Sequence, residues 1–97
     1  MNEREWLRQF LDLAGYLGWK RHYHNLYSPG SDSGFPDLVI LNIDQKRIAY
    51  VEVKGDGGNL SAEQVAWIED LREAGGEAEV FWPEHMEIAK AWLKGEK

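Results

Sequence analysis

Two short segments contain the residues whose types and spacing are best suited to chemistry. The first is Gly34-Phe35-Pro36-Asp37, and the second is Val51-Glu52-Val53-Lys54, which begins fourteen residues after the aspartate. If the second segment is a strand, its glutamate and lysine lie on one face, about 6.6 Å apart along it. Two carboxylates and an ammonium group gathered at one place would suit a divalent cation and the hydrolysis of a phosphodiester.

The position of Asp37 relative to Glu52 depends on a hairpin predicted between them. Apolar runs at 38–41 and 48–53 flank a polar turn at 42–47, a pattern that predicts two antiparallel strands. A two-residue loop or a symmetric four-residue loop places Asp37 opposite Glu52, with β-carbons about 5 Å apart on one face. A three-residue loop would shift the register and separate them. The symmetric register therefore gathers both carboxylates and the nearby lysine at the open end of the hairpin.

Two carboxylates held this close repel each other, and a divalent cation would relieve the repulsion. Magnesium accepts one or two carboxylates and keeps water and phosphate oxygens as its other ligands. The backbone carbonyl of Val53 is a candidate for a further ligand. Lys54 could orient or polarise a metal-bound water, or balance charge that develops on the phosphate. Each segment alone is more typical of an exposed strand or a turn, but Val51 and Val53 make the other face apolar, which places the strand inside the sheet.

The remaining elements follow from hydrophobic periodicity, caps and turn residues. Their order, α, β, β, β, α, β, α, predicts an α/β fold in which helices flank a mixed sheet, as one domain over residues 1–97. The predicted elements outside the hairpin are a helix capped by an Asn2–Glu5 capping box and ended by Gly18, a strand at 20–27, a helix from Ser61 to Gly75, a strand at 78–82 and a helix at 84–94.

Composition restricts the classes of protein that remain. The 97 residues are 43% hydrophobic and include no cysteine, which excludes disulfides, thiolate zinc sites and a cysteine nucleophile. The net charge of −6 is unusual for a protein that binds nucleic acid, but it divides into −1 for residues 1–61 and −5 for residues 62–97. The charged N-terminus and the lack of a long apolar run predict a soluble protein without a membrane association. The lack of cysteine also fits a reducing, intracellular setting, which is where we expect the protein.

The two chemical segments resemble a known nuclease signature. Asp37 followed by Glu52-Val53-Lys54 is similar to the PD-(D/E)xK pattern, and three longer segments resemble the VRR-NUC family in particular. These segments are Gly34-Phe35-Pro36-Asp37-Leu38-Val39, Tyr50-Val51-Glu52-Val53-Lys54-Gly55 and Leu60-Ser61-Ala62-Glu63-Gln64. The resemblance implies a restriction-endonuclease-like core, dependence on Mg²⁺ or Mn²⁺, and cleavage of DNA. For small stand-alone, often virus-borne members it also implies homodimers that act on branched DNA such as four-way (Holliday) junctions.

The resemblance suggests two further site residues, and each also has a structural explanation. The family pattern includes an acidic residue in the first helix; Glu3 is the better match as a metal ligand, and Glu5 is the alternative. Gln64 resembles a family glutamine that lies near the metal or the phosphate. Because Gln64 stands three residues after Ser61, it could equally bond the Ser61 backbone in a capping box.

Candidate DNA contacts precede the hairpin. His22 and His24 share a face if their segment is a strand, but no third zinc ligand has suitable spacing. Contact with the DNA backbone is therefore expected for His24, together with Lys20 and Arg21. The resemblance adds Ser28.

The function predicted from the sequence is that of a metal-dependent endodeoxyribonuclease with Asp37, Glu52, Lys54 and Gln64 in its active site. One alternative is a DNA-binding or accessory module that keeps the fold without cutting. Another is a subunit that cuts only with a helicase or another phage protein. Trp6 and Trp92 are candidates for a dimer interface, provided that they are not all buried in the core.

Overall fold

The computed structural model describes residues 1–26 and 34–96. Ser28, a predicted DNA contact, lies outside the described residues. The regular elements follow the predicted order, with one short 3₁₀ turn at Pro83–His85 before the last helix. They are α1 (Glu3–Tyr16), β1 (Arg21–His24), β2 (Leu38–Asn42), β3 (Arg47–Val53), α2 (Ala62–Glu73), β4 (Glu77–Phe81) and α3 (Met86–Lys94).

The four strands form one mixed sheet in the order β1-β2-β3-β4. The pairs β1–β2 and β2–β3 are antiparallel, whereas β3 and β4 run parallel and are connected through α2. A parallel pair requires a crossover of this kind, because a tight turn can join only antiparallel strands. The α/β fold with a helix-flanked mixed sheet, predicted from the sequence, is therefore confirmed.

The β2–β3 hairpin has the symmetric register. Four residues, 43–46, separate the strands, and Leu41 pairs with Ile48. The side chain of Asn42 begins the turn by accepting a hydrogen bond from the backbone N–H of Gln45 at 2.9 Å. Lys46 ends it with a φ of 56°. Because the loop is even in length, the same register continues outward from Leu38, which pairs with Val51, to bring Asp37 level with Glu52.

Local interactions fix both ends of α1. The Asn2 side chain accepts a hydrogen bond from the Glu5 N–H at 2.8 Å, as expected for a cap. The expected capping box is incomplete, because the Glu5 carboxylate bonds the Asn2 side-chain amide instead of its backbone N–H. At the other end Gly18 has a φ of 101°, and the N–H of Trp19 reaches back to the carbonyl of Ala14 at 2.9 Å. This Schellman-type ending turns the chain towards β1.

The core lies between one face of the sheet and the helices α1 and α3. Its members are buried apolar side chains: Trp6, Phe10, Ala14, Trp19, Leu38, Ile40, Ala49, Val51, Val53, Phe81, Ala89 and Leu93. Trp6 is fully buried, and its indole N–H donates to the carbonyl of Phe81 at 2.9 Å. Its suggested place in a dimer interface is therefore wrong, because the core takes up the whole side chain. Trp92 is only partly buried and stacks on Trp19.

Three predicted boundaries need correction. The first strand covers Arg21–His24, so residues 20, 25 and 26 of the predicted 20–27 lie outside it. The fourth strand, Glu77–Phe81, begins and ends one residue before the predicted 78–82. The last helix does not run unbroken from residue 84, because Pro83 starts a 3₁₀ turn and the α-helix begins only at Met86. Proline fixes its own φ and lacks an N–H, so it favours the first position of a turn or helix. No helix in the described part of the chain is long and apolar enough to cross a membrane.

Candidate active site

The hairpin register brings the two predicted carboxylates together at its open end. Asp37 immediately precedes β2, and Glu52 lies next to the last residue of β3. The N–H of Val53 donates to Oδ2 of Asp37 at 3.1 Å and fixes the orientation of that carboxylate. Glu52 is only 2% exposed, whereas Asp37 is half-buried and reaches the surface. The site thus pairs one accessible carboxylate with one buried carboxylate.

The environment of Glu52 is unfavourable for a negative charge. Burial, hydrogen bonding to Asp37 and the negative charge of Asp37 together raise the pKa of its carboxyl to about 8, while Lys54 acts in the opposite direction. The ammonium Nζ of Lys54 lies 3.5 Å from Oε2 of Glu52. The other oxygen, Oε1, is buried and accepts no hydrogen bond from the described residues. A buried oxygen of this kind is costly unless something else binds it.

Gln64 forms the predicted capping box and also contacts Glu52. Its side-chain oxygen accepts from the Ser61 N–H at 2.9 Å, while the Ser61 hydroxyl accepts from the Gln64 N–H at 3.1 Å, which completes a capping box. Its side-chain nitrogen also lies 3.3 Å from Oε2 of Glu52. Helix α2 therefore begins directly over the carboxylate pair.

The donor set fits a hard divalent cation that is only partly coordinated by protein. Carboxylate oxygens are the ligands that Mg²⁺ and Mn²⁺ prefer, and Mg²⁺ keeps several waters. Oε1 of Glu52, which accepts no hydrogen bond from residues 1–26 and 34–96, is an oxygen that such a cation would satisfy. In the described residues, no three His, Cys, Asp or Glu side chains form a complete cluster. Glu3 consequently does not join Asp37 and Glu52 in a preformed three-carboxylate site.

Glu3 nevertheless lies at the same end of the molecule. It lines a cleft of about 650 Å³ that also contains Asp37. The start of α1 is held there by Gly55, where an added Cβ would lie only 2.5 Å from the backbone nitrogen of Glu3. Glu5, the alternative acid, is occupied by the Asn2 side chain. The structure thus leaves Glu3 as the first-helix acid that faces the cleft.

The predicted DNA contacts do not form one group. His24 lines the cleft with Asp37, since it pairs with Leu38 at the active end of β1. Arg21 pairs with Leu41, three strand positions away, which corresponds to about 10 Å along the strand. Lys20 precedes Arg21 and lies further still from the carboxylates. Both cations are exposed, so they are available only to a partner that extends well beyond the site.

Comparison with known proteins identifies the architecture that holds this site. Residues 3–82 match the VRR-NUC domain, a span that includes the assembled residues Asp37, Glu52, Lys54 and Gln64. The match covers well over half of the chain. The chain belongs to the VRR-NUC family.

The curated relatives of this VRR-NUC chain are named as nucleases. It is 50% identical over 50 residues to a Fanconi-associated nuclease 1 homolog of Caenorhabditis elegans and 46% identical over 63 residues to that of Caenorhabditis briggsae. Identity to the Pseudomonas aeruginosa homolog is 35% over 71 residues. These alignments cover 52%, 65% and 71% of this chain but only 6%, 7% and 13% of the relatives. The chain therefore corresponds to a small part of each of them.

A solved structure supports the fold independently. A protein described as a VRR_NUC domain protein superposes with a TM-score of 0.62, covering 96% of this chain and 90% of the other. Sequence identity is 20%, so this likeness concerns the fold alone.

Two contacts in this VRR-NUC site were not expected from the sequence. Val53 was predicted to offer its carbonyl, whereas the contact seen is from its N–H to Asp37. The indole N–H of Trp82 donates to the carbonyl of Gly58 at 2.8 Å. Gly58 packs on the lysine stem: a Cβ added there would lie 3.4 Å from Cβ of Lys54. No local pattern signals either contact, since each joins segments that are distant in the chain.

Proposed function

We propose that this VRR-NUC chain is a metal-dependent endodeoxyribonuclease whose active site contains Asp37, Glu52 and Lys54. The observation that carries the proposal is Oε1 of Glu52, which is buried beside a second carboxylate and accepts no hydrogen bond from the described part of the chain. Such a pair opposes folding unless a cation satisfies it, so its assembly is better explained by a ligand than by stability. The nuclease names of the relatives support the same reaction class.

Each residue has a distinct task in this proposal. Bound Mg²⁺ or Mn²⁺ would supply an activated water and neutralise phosphate charge. Asp37 and Glu52 hold the cation, with the Val53 carbonyl and Glu3 as further candidate ligands. The Val53 N–H keeps Asp37 in one orientation. Lys54 places a positive charge beside Glu52, where it can stabilise charge developing on the phosphate oxygens.

Gln64 is a positioning residue for Glu52. Its amide nitrogen approaches one carboxylate oxygen, Oε2, and leaves the other free for the cation. The capping box fixes Gln64 on the backbone of Ser61, so helix α2 orients the carboxylate from above. In hydrolysis the water oxygen forms a bond to phosphorus and the P–O bond to the leaving strand breaks. The water gives up one proton, and the leaving oxygen takes one up, either directly or through solvent.

The central experiment compares cleavage and metal binding in the same variants. Asp37→Ala and Glu52→Ala should abolish cleavage of labelled DNA in Mg²⁺ or Mn²⁺ and weaken binding of these ions in calorimetry. Asp44→Ala is the matched control, because Asp44 is an exposed acid in the loop at the other end of the hairpin. Full activity of the wild-type protein in EDTA would refute the metal requirement. Metal binding without cleavage of any DNA would favour the non-cleaving accessory module.

We further propose that two copies act together on branched DNA. A chain with a net charge of −6 has few cations to hold a polyanion, and a second copy doubles them. A two-fold dimer would also present two cutting centres to a substrate of matching symmetry, such as a four-way junction.

Light scattering with and without junction DNA, and cleavage of matched duplex, flap and junction substrates, test this part. A monomer on bound junction DNA, or equal cutting of duplex and junction, would refute it while leaving the metal site intact. Activity that appears only when a helicase or another phage protein is added would instead favour the subunit alternative.

A further inference from the structure

The cleft beside Asp37 contains one basic side chain, Arg4, to which the proposed function gives no role. The cleft lies between the first turns of α1 and the end of β1, and it is about 650 Å³ in volume. Its lining residues are Asn2, Glu3, Arg4, Leu7, His24, Asn25, Leu26 and Asp37. This volume is within the range of ordinary ligand sites. The half-buried carboxylate of Asp37 forms part of its wall, so whatever occupies the cleft is adjacent to the proposed chemistry.

Arg4 and His24 are the two basic side chains among the described residues that line the cleft. Arg4 is exposed and forms no ion pair or hydrogen bond through its side chain with any residue in the described ranges 1–26 and 34–96. His24 is half-buried, and the same ranges give its ring no partner. Arg4 belongs to the first turn of α1, where the helix dipole disfavours a cation. Stability of the helix therefore does not explain an arginine at this position.

We propose that this cleft holds the DNA backbone next to the phosphate under attack, and that Arg4 is its main phosphate contact. The inference rests on the proposed nuclease function and extends it by assigning the path of the strand. A guanidinium binds a phosphate through two parallel hydrogen bonds, which an exposed, unpaired arginine can form without losing another contact. Leu7 and Leu26 give the cleft apolar surface for the sugar, and Leu26 is 71% exposed. The cation at Asp37 and Glu52 would offset the acidic side chains that the strand passes.

The path also explains why His24 is separated from the other basic residues near β1. His24 and Arg4 line the cleft, whereas Arg21 lies about three strand positions away. A short stretch of backbone seated in the cleft contacts the first pair and not the second. Arg4 is thus the specific contact, and Arg21 contributes at most to the general attraction of DNA.

Arg8 provides a close control for Arg4. It lies on the same helix one turn further on, is exposed, is likewise free of ion pairs in the described ranges, and does not line the cleft. Arg4→Ala and Arg8→Ala remove the same charge from neighbouring positions. Any difference in DNA binding between the two variants therefore results from the position of Arg4 in the cleft and not from the loss of net charge.

The experiment measures binding of fluorescein-labelled duplex and four-way-junction DNA by anisotropy in Ca²⁺, over a series of salt concentrations. Arg4→Ala should lose roughly tenfold in affinity, and its log–log salt slope should fall by about 0.9, the value for one phosphate contact. Arg8→Ala should change neither by a comparable amount. Arg4→Lys should recover the salt slope, because it keeps the charge. Melting temperatures of Arg4→Ala should equal or slightly exceed those of wild type, since an unfavourable helix-end charge is removed.

Equal affinities and slopes for Arg4→Ala and Arg8→Ala would overturn the cleft proposal, as would an Arg4→Lys slope matching that of Arg4→Ala. Failure of the proposed function is read separately, from cleavage in Mg²⁺ or Mn²⁺. A protein that cuts DNA while Arg4→Ala behaves like Arg8→Ala keeps its nuclease function and loses only this strand path. A protein that binds through Arg4 but does not cut keeps the path and loses the nuclease assignment.

Discussion

Replacing Glu52 by glutamine should remove most of the pH dependence of stability that the metal-free protein shows between neutral and alkaline pH. Burial, and then contact with Asp37, raise the pKa of Glu52 to about 8 from an ordinary value of 4.5. The folded protein therefore binds more protons than the unfolded chain between these two values. By linkage, the stabilising effect of the proton is complete below the lower value and is lost as the pH rises through about 8.

The magnitude follows from the raised pKa. A carboxyl with a pKa near 8 is almost fully protonated at about pH 6 and mostly ionised at about pH 9, so the free energy of unfolding should fall by about 3 kcal/mol across this interval. For a domain of this size each kcal/mol corresponds to about 4–8 °C. The melting temperature of the metal-free wild type should therefore drop by roughly 10–20 °C.

Thermal unfolding in EDTA, followed by circular dichroism from about pH 6 to about pH 9, makes the comparison. Glu52→Gln has no ionisable group at position 52, so its melting temperature should be nearly constant with pH. At the alkaline end it should be higher than the melting temperature of wild type. Saturating Mg²⁺ should reduce the fall in wild type, since the cation replaces the proton. A wild-type melting temperature that rises with pH, or that follows the same curve as Glu52→Gln, would refute this account of the carboxylate pair.

Four further variants separate neighbouring roles. Lys54→Ala should keep metal and DNA binding but lose most of kcat; normal turnover with weaker affinity would make Lys54 a phosphate contact only. Trp82→Phe removes the hydrogen bond from the indole N–H to the Gly58 carbonyl and should lower kcat several-fold with little change in KM. The melting temperature of the variant is measured as a control for folding. An unchanged kcat would show that this hydrogen bond does not position Lys54. Ser61→Ala should lower the free energy of unfolding by about 1 kcal/mol and retain cleavage activity. Gln64→Ala should lower both the stability and the cleavage activity. Equal activities of these two variants would show that Gln64 acts only in the capping box.

The sequence predicted the centre of the site because one property of the hairpin controls it. An even loop of four residues keeps Leu41 opposite Ile48, and the two-residue period of strands then carries Asp37 to Glu52. The capping box of α2 could also be predicted from the sequence, since Ser61 and Gln64 have the required spacing. These features depend on short-range geometry, which a single sequence contains.

The remaining features depend on contacts between distant segments. The Val53 N–H meets Asp37 across sixteen residues, and Trp82 meets Gly58 across twenty-four. Periodicity places Trp6 on an apolar helix face, but only the packed core shows that the face is wholly covered. The start of α1 reaches the site because Gly55 leaves room for the backbone of Glu3. This close approach cannot be predicted from the presence of a glycine in a loop.

The acidic composition of the chain is compatible with a DNA substrate when charge is considered locally. Asp37 and Glu3 place negative charge at one end of the fold, beside the protonated Glu52 and the cations Lys54 and Arg4. A divalent cation that binds there and displaces the Glu52 proton makes the local charge more positive, which favours binding of phosphate. Binding of DNA should therefore depend on the metal more strongly than on the net charge of −6. On the proposed function, we therefore expect metal binding to precede strand binding in the cleft.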